Sequence, residues 1–263
     1  MPLIRLDKFL SERTAHSRAA LKKILRDGAV TVDGIAERDG SRKIDPDVQT
    51  VTCMGKPLRA SACVYYILNK PEGYVSATED RDHATVLDLV PAEMRVSGLF
   101  PAGRLDGDST GLVLLTNDGA LAHQMLSPRH HVPKYYLVEL ARPYEAAYET
   151  QFAAGLTLSD GTECLPAQIL PLAVPGHFAL VCLHEGKYHQ VKRMLAAVEN
   201  HVVHLHRVAV GAYVLPPDLA SGACLEIFHK DVEKLLKPGD LTILRDLMID
   251  AFSSYLINAR HEL

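Results

Sequence analysis

Short apolar stripes at helical spacing open the chain and predict helices over residues 5–12 and 17–26. Ser17 is a suitable N-cap for the second helix, and Gly28 stands where helices commonly end. A β-branched run over residues 30–32 then predicts a strand that leads into a tight Asp33–Gly34 turn. The stripes consist of Leu6, Phe9 and Leu10, and of Ala20, Leu21, Ile24 and Leu25.

From residue 64 onward, apolar runs and amphipathic stretches follow one another without a regular strand–helix–strand alternation. This irregular order favours an α+β fold over a doubly wound parallel sheet. The runs predict strands over 64–68, 112–116, 135–139, 165–170, 178–183 and 202–208, and helices over 85–90, 119–126, 144–154 and 188–198.

Breaker residues divide the chain into three parts. Gly55, Lys56 and Pro57 interrupt the pattern, so we expect one small domain over residues 1–60 and a larger one over 61–229. Residues 230–263 return to helical spacing, with a break at Pro238–Gly239, and we expect a helical C-terminal extension there.

Charge is distributed unevenly among these parts. Residues 1–60 hold twelve Lys and Arg against eight Asp and Glu, although the whole chain has a net charge of −4. A basic first domain followed by an acidic remainder indicates that the first domain binds an anionic partner. Within it, three cations spaced by four lie along one side of the second helix and two precede them on the first, as expected of an RNA-phosphate surface. They are Arg18, Lys22 and Arg26, and Arg5 and Lys8.

Composition argues against membrane, secreted and zinc-binding proteins. No apolar run approaches 18 residues, and the first residues lead directly into a charged pattern, so we expect neither a membrane span nor a secretory signal. The five cysteines are odd in number and form no C-x-x-C pair, which favours reduced thiols in a cytoplasmic protein and argues against zinc. Several histidines lie in the second half, but no acidic ligand stands at a useful spacing, so we expect no metal site.

The segment 103–111, Gly-Arg-Leu-Asp-Gly-Asp-Ser-Thr-Gly, is the strongest candidate for chemistry. Its two carboxylates, Asp106 and Asp108, stand close together beside Arg104 in a turn, and their repulsion must be offset. A calcium loop would need a Glu where Asn117 stands. An aspartyl-phosphate phosphatase motif would follow a buried strand, and Pro101–Arg104 precedes this one. A charged hairpin turn is the purely structural alternative.

Other clusters add cations and a phenol. The segment 186–194 concentrates Lys187, Lys192 and Arg193 at a predicted helix start, an arrangement suited to a carboxylate or a phosphate. Lys134 and Tyr136 share one face of a predicted strand. The basic stretch 127–131, Ser-Pro-Arg-His-His, fits RNA contact better than metal binding.

Taken together and in order, these segments resemble the pseudouridine synthases of the RsuA/RluB type over residues 3–227. Residues 5–34 resemble an S4 RNA-binding domain, and Tyr66–Tyr74 resembles the opening strand of the synthase domain. The loop 103–112, Lys134-x-Tyr136 and Gly186–Met194 match the later family motifs. The resemblance implies a small S4 domain followed by a mixed, largely antiparallel β-sheet flanked by helices.

The resemblance also assigns roles to residues. Asp106 falls on the catalytic aspartate, Tyr136 on the tyrosine that stacks on the uracil, and Lys192 on the ion-pair partner of Asp106. Arg104 would fill the space left by a flipped base, and Asp108 would hydrogen-bond within the turn. Further substrate contacts are expected from Arg129, Lys134 and Arg193.

The implied reaction converts uridine to pseudouridine in ribosomal RNA and needs neither cofactor nor metal. The segments 127–131, 188–194 and 200–207 look most like the branch that modifies small-subunit (16S) RNA. A large-subunit (23S) target and a non-catalytic ribosome-assembly factor are the alternatives. The expected substrate is ribosomal RNA or a small-subunit assembly intermediate, bound by a monomer.

Overall fold

The structure is a computed structural model that describes residues 3–14, 16–46, 48–58, 63–127, 129–172 and 176–251. It divides into two compact units, Met1–Val64 and Tyr65–Leu263. The predicted domain boundary between residues 60 and 61 and the end of the tail, residues 252–263, lie outside the described residues.

The first unit packs two helices on small antiparallel sheets. The predicted helices are confirmed as α1 (Leu6–Arg13) and α2 (Arg18–Arg26), and Ser17 caps α2 by accepting a hydrogen bond from the Ala20 N–H at 3.3 Å. Leu6, Phe9 and Leu10 are buried in a core that the strands complete. The strands are β1 (Ile4–Arg5), β2 (Val30–Val32), β3 (Ile35–Ala36), β4 (Lys43–Ile44), β5 (Val51–Cys53) and β6 (Lys56–Pro57).

A nine-stranded mixed sheet dominates the described part of the second unit. Its main path runs β11-β12-β10-β13-β9-β7-β15, with β8 paired to β9 and β14 paired to β13. The pairings are antiparallel except β13 with β9, which confirms the α+β class and the largely antiparallel sheet. The strands are β7 (Tyr65–Lys70), β8 (Phe100–Ala102), β9 (Thr110–Thr116), β10 (Lys134–Leu140), β11 (Gln168–Pro171), β12 (Phe178–Leu183), β13 (Val202–Val210), β14 (Tyr213–Val214) and β15 (Cys224–Glu226).

Strand β9 is the strand that places the candidate loop. All seven of its residues are buried, between β13 on one side and β7 on the other. The loop 103–109 leads directly into this strand. The C-terminal end of the loop is therefore held in place by a strand in the interior of the sheet. Gly111 lies at φ +102°, and a Cβ there would come within 2.4 Å of the Arg207 carbonyl oxygen on β13. Only glycine allows the two strands to approach this closely.

Five α-helices flank the sheet within the described residues. Asp118 caps α3 (Gly119–Leu126) by accepting hydrogen bonds from the N–H groups of Ala120 and Leu121. The helices of the C-terminal extension bury Leu235 against one side of the core and Leu241, Leu244 and Met248 against another. The helices are α3 (Gly119–Leu126), α4 (Ala147–Ala154), α5 (Gln190–Ala197), α6 (His229–Leu236) and α7 (Leu241–Asp250).

The extension is also tied to the sheet by a hydrogen bond. The Tyr135 hydroxyl on β10 donates to the Gly239 carbonyl at 2.6 Å, directly at the predicted Pro238–Gly239 break. Burial raises the pKa of the Tyr135 hydroxyl far above its ordinary value, so this group stays a donor. In the described residues no helix has the length and apolarity that a membrane span requires.

The predicted helix over 85–90 is wrong. The Asp88 carboxylate accepts hydrogen bonds from both the N–H and the hydroxyl of Thr85, and Thr85 forms a bridge with Val75. These local bonds hold the segment in successive turns, in competition with a helix. The strand predicted from residue 165 begins only at Gln168, and the helix predicted from residue 144 begins at Ala147.

Candidate active site

The backbone of the 103–109 loop is anchored by a buried lysine. Lys70 is fully buried at the end of β7, and its ammonium group donates to the carbonyls of Ser109 at 2.7 Å, Pro71 at 3.0 Å and Gly107 at 3.3 Å. Burial lowers the pKa of Lys70 to about 8. An ammonium has three donors, and here all three are used on the loop and its neighbour.

Two further side chains hold the start of the same loop. The buried Arg207 donates to the Leu112 carbonyl at 2.7 Å and to the Arg104 carbonyl at 3.2 Å, so it joins the two ends of the loop. The Ser76 hydroxyl donates to the Leu105 carbonyl and accepts from the Leu105 N–H. The peptide units beside Asp106 are therefore fixed independently of its carboxylate. The sequence reasoning missed Lys70, Ser76 and Arg207, because each reads as an ordinary strand or turn residue.

The two carboxylates of this loop lie close to two basic side chains. Lys192 Nζ lies 3.7 Å from Asp106 Oδ2, but only 2.6 and 2.7 Å from the two oxygens of Asp108. His189 Nε2 lies 3.4 Å from Asp106 Oδ1. The side chain of Asp106 is 30% exposed and that of Lys192 is 23% exposed, so the pair is partly shielded from water.

Asp108 makes a contact that the sequence did not predict. Its carboxylate reaches across to α5 and pairs with Lys192, in addition to the expected bonding within the turn, where it accepts from a backbone N–H at Asp108 itself. Burial by itself would raise the pKa of Asp108, but the hydrogen bond and charge of Lys192 outweigh it and hold that pKa below its usual range. Lys192 thus serves both carboxylates, and its shortest bonds go to Asp108.

The turn before α5 aims His189 at the loop. His189 has a left-handed backbone at φ 49°, which ends the turn and delays the helix predicted from residue 188 until Gln190. The buried Gln190 side chain fixes the turn, since it accepts from the Lys187 N–H at 2.9 Å and donates to Glu185 at 2.6 Å. From the sequence, His189 was considered only among the histidines for a metal site, and Gln190 was given no role, although both lie inside the 186–194 motif.

Tyr136 lies across the sheet from the loop. It is buried on β10, paired with Arg207 of β13, which in turn pairs with Gly111 of β9. Two strand spacings separate Tyr136 from Gly111, about 10 Å. Lys134 precedes it on the same strand, where burial lowers its pKa to about 8 and its ammonium donates to the Val132 carbonyl at 3.0 Å.

The predicted arginines occupy different settings. Arg104 and Arg129 have exposed side chains, whereas Arg193 forms an ion pair with Asp160 at 2.5 Å. Arg193 also donates to the Tyr188 carbonyl at 3.4 Å, so it braces the turn before α5. Pro128, in the middle of the predicted basic stretch 127–131, lies outside the described residues.

Comparison with known proteins gives this geometry its context. Residues 64–197 match the family model of RNA pseudouridylate synthase, and residues 4–49 match that of the S4 domain. The chain belongs to the RNA pseudouridine synthase family. It carries an N-terminal S4 domain, and the family match takes in the anchored loop, Tyr136 and Lys192.

Curated relatives of this synthase cover most of its length. Ribosomal small subunit pseudouridine synthase A of Escherichia coli (strain K12) is 41% identical over 234 residues, 89% of this chain and 100% of the relative. The protein of the same name from Yersinia pestis is 46% identical over 237 residues, 89% of this chain and 99% of the relative. A crystal structure of a pseudouridylate synthase superposes with a TM-score of 0.61 at 36% identity, covering 88% of this chain and 99% of that one.

The S4 domain of this synthase presents the predicted basic residues around one groove. The groove has a volume of about 600 Å³, and its lining includes four of the five predicted cations. Arg5 pairs with Asp7, and Lys8 lies 3.8 Å from Glu12, so part of the positive charge is balanced. Arg38 joins the lining and was not predicted. The four are Arg5, Lys8, Arg18 and Lys22, while Arg26 is exposed outside the lining.

Among the described residues, no three His, Cys, Asp or Glu side chains are grouped so that they could hold a metal ion. His206, one of the histidines considered for a metal, is fully buried on β13, and its Nδ1 lies 2.8 Å from the Thr110 hydroxyl. It therefore belongs to the support of β9.

The burial of His206 predicts that the stability of the synthase depends on acid pH. Burial lowers the pKa of His206 to about 3, against about 6.5 in the unfolded chain. The unfolded state therefore binds more protons between these values, and stability falls as the pH drops from 6.5 towards 3. At pH 5 the loss is about 2 kcal/mol. In urea unfolding, His206→Gln should reduce the stability difference between pH 7 and pH 5 by roughly that amount.

The matched control for this measurement is His201→Gln, an exposed histidine one residue before β13. Its side chain is hydrated in both states, so the same comparison should reproduce the wild-type difference. Equal pH dependence in wild type and His206→Gln would show that His206 does not carry the acid sensitivity.

Lys192 offers a test of the electrostatics of the candidate site. Lys192→Gln leaves Asp106 and Asp108 facing each other without their shared ammonium, and we expect activity to fall roughly 10²-fold. Lys187→Gln is the matched control, because Lys187 lies on the same turn but pairs with Glu185. The measurement is pseudouridine formed per unit time on ribosomal RNA. Equal rates in the two variants would show that Lys192 does not contribute to the activity.

Proposed function

We propose that this synthase converts one uridine of small-subunit ribosomal RNA to pseudouridine in the cytoplasm, with Asp106 as its catalytic carboxylate. The observation that carries the proposal is the placing of Asp106. It lies on a loop fixed by Lys70, Ser76 and Arg207, within 3.4 Å of His189 and 3.7 Å of Lys192. The small-subunit target rests on the two relatives that bear that name.

The reaction is an isomerisation of the nucleoside. The N1–C1′ bond breaks, the base turns, and a C5–C1′ bond forms; C5 loses its proton and N1 gains one. An ionised carboxylate can act at C1′ or C6, or remove a proton from C2′, and each route needs Asp106 charged. Lys192 Nζ and His189 Nε2 lie 3.7 and 3.4 Å from the Asp106 carboxylate in this partly shielded site. No oxidant, reductant or hydrolytic water is consumed.

The uridine must leave its stack to reach Asp106. The exposed Arg104 stands two residues before Asp106, and its carbonyl is held by Arg207, so its side chain is suited to fill the space left by the base. Tyr136 is suited to stack on the uracil and to assist proton removal at C5. Lys134 and Arg129 are assigned to the RNA backbone, as are the cations of the S4 groove.

Arg193 receives a different assignment from the direct substrate contact expected at first. Its guanidinium pairs with Asp160 and supports the Tyr188 carbonyl, so we assign it to the support of the turn that carries His189. Lys192 is assigned to Asp106 and Asp108 together.

The decisive experiment maps pseudouridines in ribosomal RNA from cells with and without the gene. We expect one site in the small-subunit RNA to be lost and to return when the wild-type gene is supplied. Loss of a site in the large-subunit RNA would correct the target. No lost site, together with tight RNA binding by the purified protein, would favour a non-catalytic assembly factor.

A further inference from the structure

An exposed aromatic side chain stands beside the candidate catalytic group. Tyr188 is 74% exposed, although it lies in the turn that holds His189 against Asp106. A tyrosine offers a partner both an apolar ring face and a polar hydroxyl. The proposed reaction gives Tyr188 no role, so its exposure needs its own explanation.

The ring of Tyr188 is held in place by its neighbours. It stacks on the His189 imidazole with 3.8 Å between ring centroids and 17° between planes. The Tyr188 carbonyl accepts from Arg193, which is itself fixed by Asp160. One face of the phenol therefore lies on His189 while most of the side chain remains open to solvent. Asp106, His189 and Tyr188 form a continuous series that leads outward from the carboxylate.

We propose that Tyr188 is a stacking platform for a nucleobase that neighbours the target uridine in the RNA. This inference rests on the proposed function, because it takes the ligand of Asp106 to be a uridine in RNA. A base adjacent to a flipped uridine has lost one stacking neighbour, and an open aromatic face beside the site can replace it.

The size of the expected effect follows from the energetics of such contacts. Stacking of a base on an aromatic side chain contributes about 1–3 kcal/mol, which corresponds to roughly a 5- to 150-fold change in binding. Tyr188→Ala should therefore raise the RNA concentration needed for half-maximal rate by that factor. The rate at saturating RNA should fall much less, because Asp106, Lys192 and the loop anchors are untouched.

The test uses the full-length protein and transcribed small-subunit ribosomal RNA under single-turnover conditions. Tyr188→Phe keeps the ring and should restore most of the affinity lost in Tyr188→Ala. Phe228→Ala is the matched control, because Phe228 is 70% exposed and follows β15. The last residue of β15, Glu226, pairs with Tyr66 on β7, and Tyr66 pairs in turn with Leu115, at the end of β9 far from the loop. Phe228→Ala should bind RNA as the wild type does.

A second measurement identifies the stacked base. Once the target uridine is mapped, single abasic nucleotides are placed at each flanking position of an RNA fragment of this region. At one position the abasic nucleotide should weaken RNA binding by the wild-type protein about as much as Tyr188→Ala does. At the same position it should reduce the affinity of the Tyr188→Ala protein little further. The proposal would be overturned if the losses of RNA affinity were additive at every position, or if Tyr188→Ala bound RNA with wild-type affinity. Absence of pseudouridine with the wild-type protein would instead refute the proposed function.

Discussion

Replacing Asp106 with Asn is expected to reduce pseudouridine formation by about 10³-fold or more while RNA binding survives. The substitution keeps the shape of the side chain and removes the charge that every proposed route requires. The loop should remain in place, because Lys70, Ser76 and Arg207 hold its backbone without using the Asp106 carboxylate. Release of tritium from C5 of labelled uridine in ribosomal RNA measures the activity, and a filter-binding titration measures the affinity.

Asp108→Asn is the matched control for this experiment. Asp108 lies on the same loop and takes the shorter bonds from Lys192, so loss of its charge perturbs the same ammonium. We expect a loss of about tenfold or less, the size of a change in supporting electrostatics. If Asp108→Asn were inactive and Asp106→Asn active, Asp108 would be the catalytic carboxylate and Asp106 the supporting one.

Gly111→Ala is expected to destabilise the synthase unit by about 2–6 kcal/mol. A methyl group there would lie 2.4 Å from the Arg207 carbonyl oxygen and 2.7 Å from its nitrogen, both backbone atoms that cannot move aside. The φ of +102° adds the strain of a conformation that L side chains rarely adopt. The parallel pairing of β9 with β13 would have to open, and the loop anchored by Arg207 would shift with it.

Gly107→Ala provides the control in the same loop. A Cβ at Gly107 meets nothing within 4 Å, so we expect a change within about 0.5 kcal/mol. All ten tyrosines lie beyond residue 64 and the chain has no tryptophan, so tyrosine fluorescence in urea follows the second unit alone. Equal midpoints for the two variants would show that β9 and β13 tolerate a wider spacing.

Local patterns in the sequence predicted most elements of this fold. Apolar spacing located α1 and α2, and apolar runs located β10 and β12 to within a residue or two. The order of strands in the sheet could not be read in this way, because pairings such as β9 with β13 join residues about a hundred positions apart. The helix predicted over 85–90 failed because Asp88 bonds to Thr85, a competition that periodicity does not register.

The residue types of the candidate site and the pairing of Asp106 with Lys192 were predicted from the sequence, but the other contacts of the site were not. Asp106, Lys192 and Tyr136 were named from motifs, and the structure brings the first two within 3.7 Å. The preference of Lys192 for Asp108 depends on differences of about an ångström in loop conformation, which no spacing rule encodes. Lys70 and Arg207 act through backbone carbonyls, so no complementary side chain in the sequence pointed to them.

The helices at the end of the chain set the order in which the two units can be completed during synthesis. The first unit draws its core from residues between Leu6 and Cys53, so it can close soon after those residues leave the ribosome. The second unit needs Leu235, Leu244 and Met248 to fill its core, and Gly239 to receive the Tyr135 hydroxyl. A nascent chain can therefore hold RNA with its S4 domain before its synthase sheet is closed.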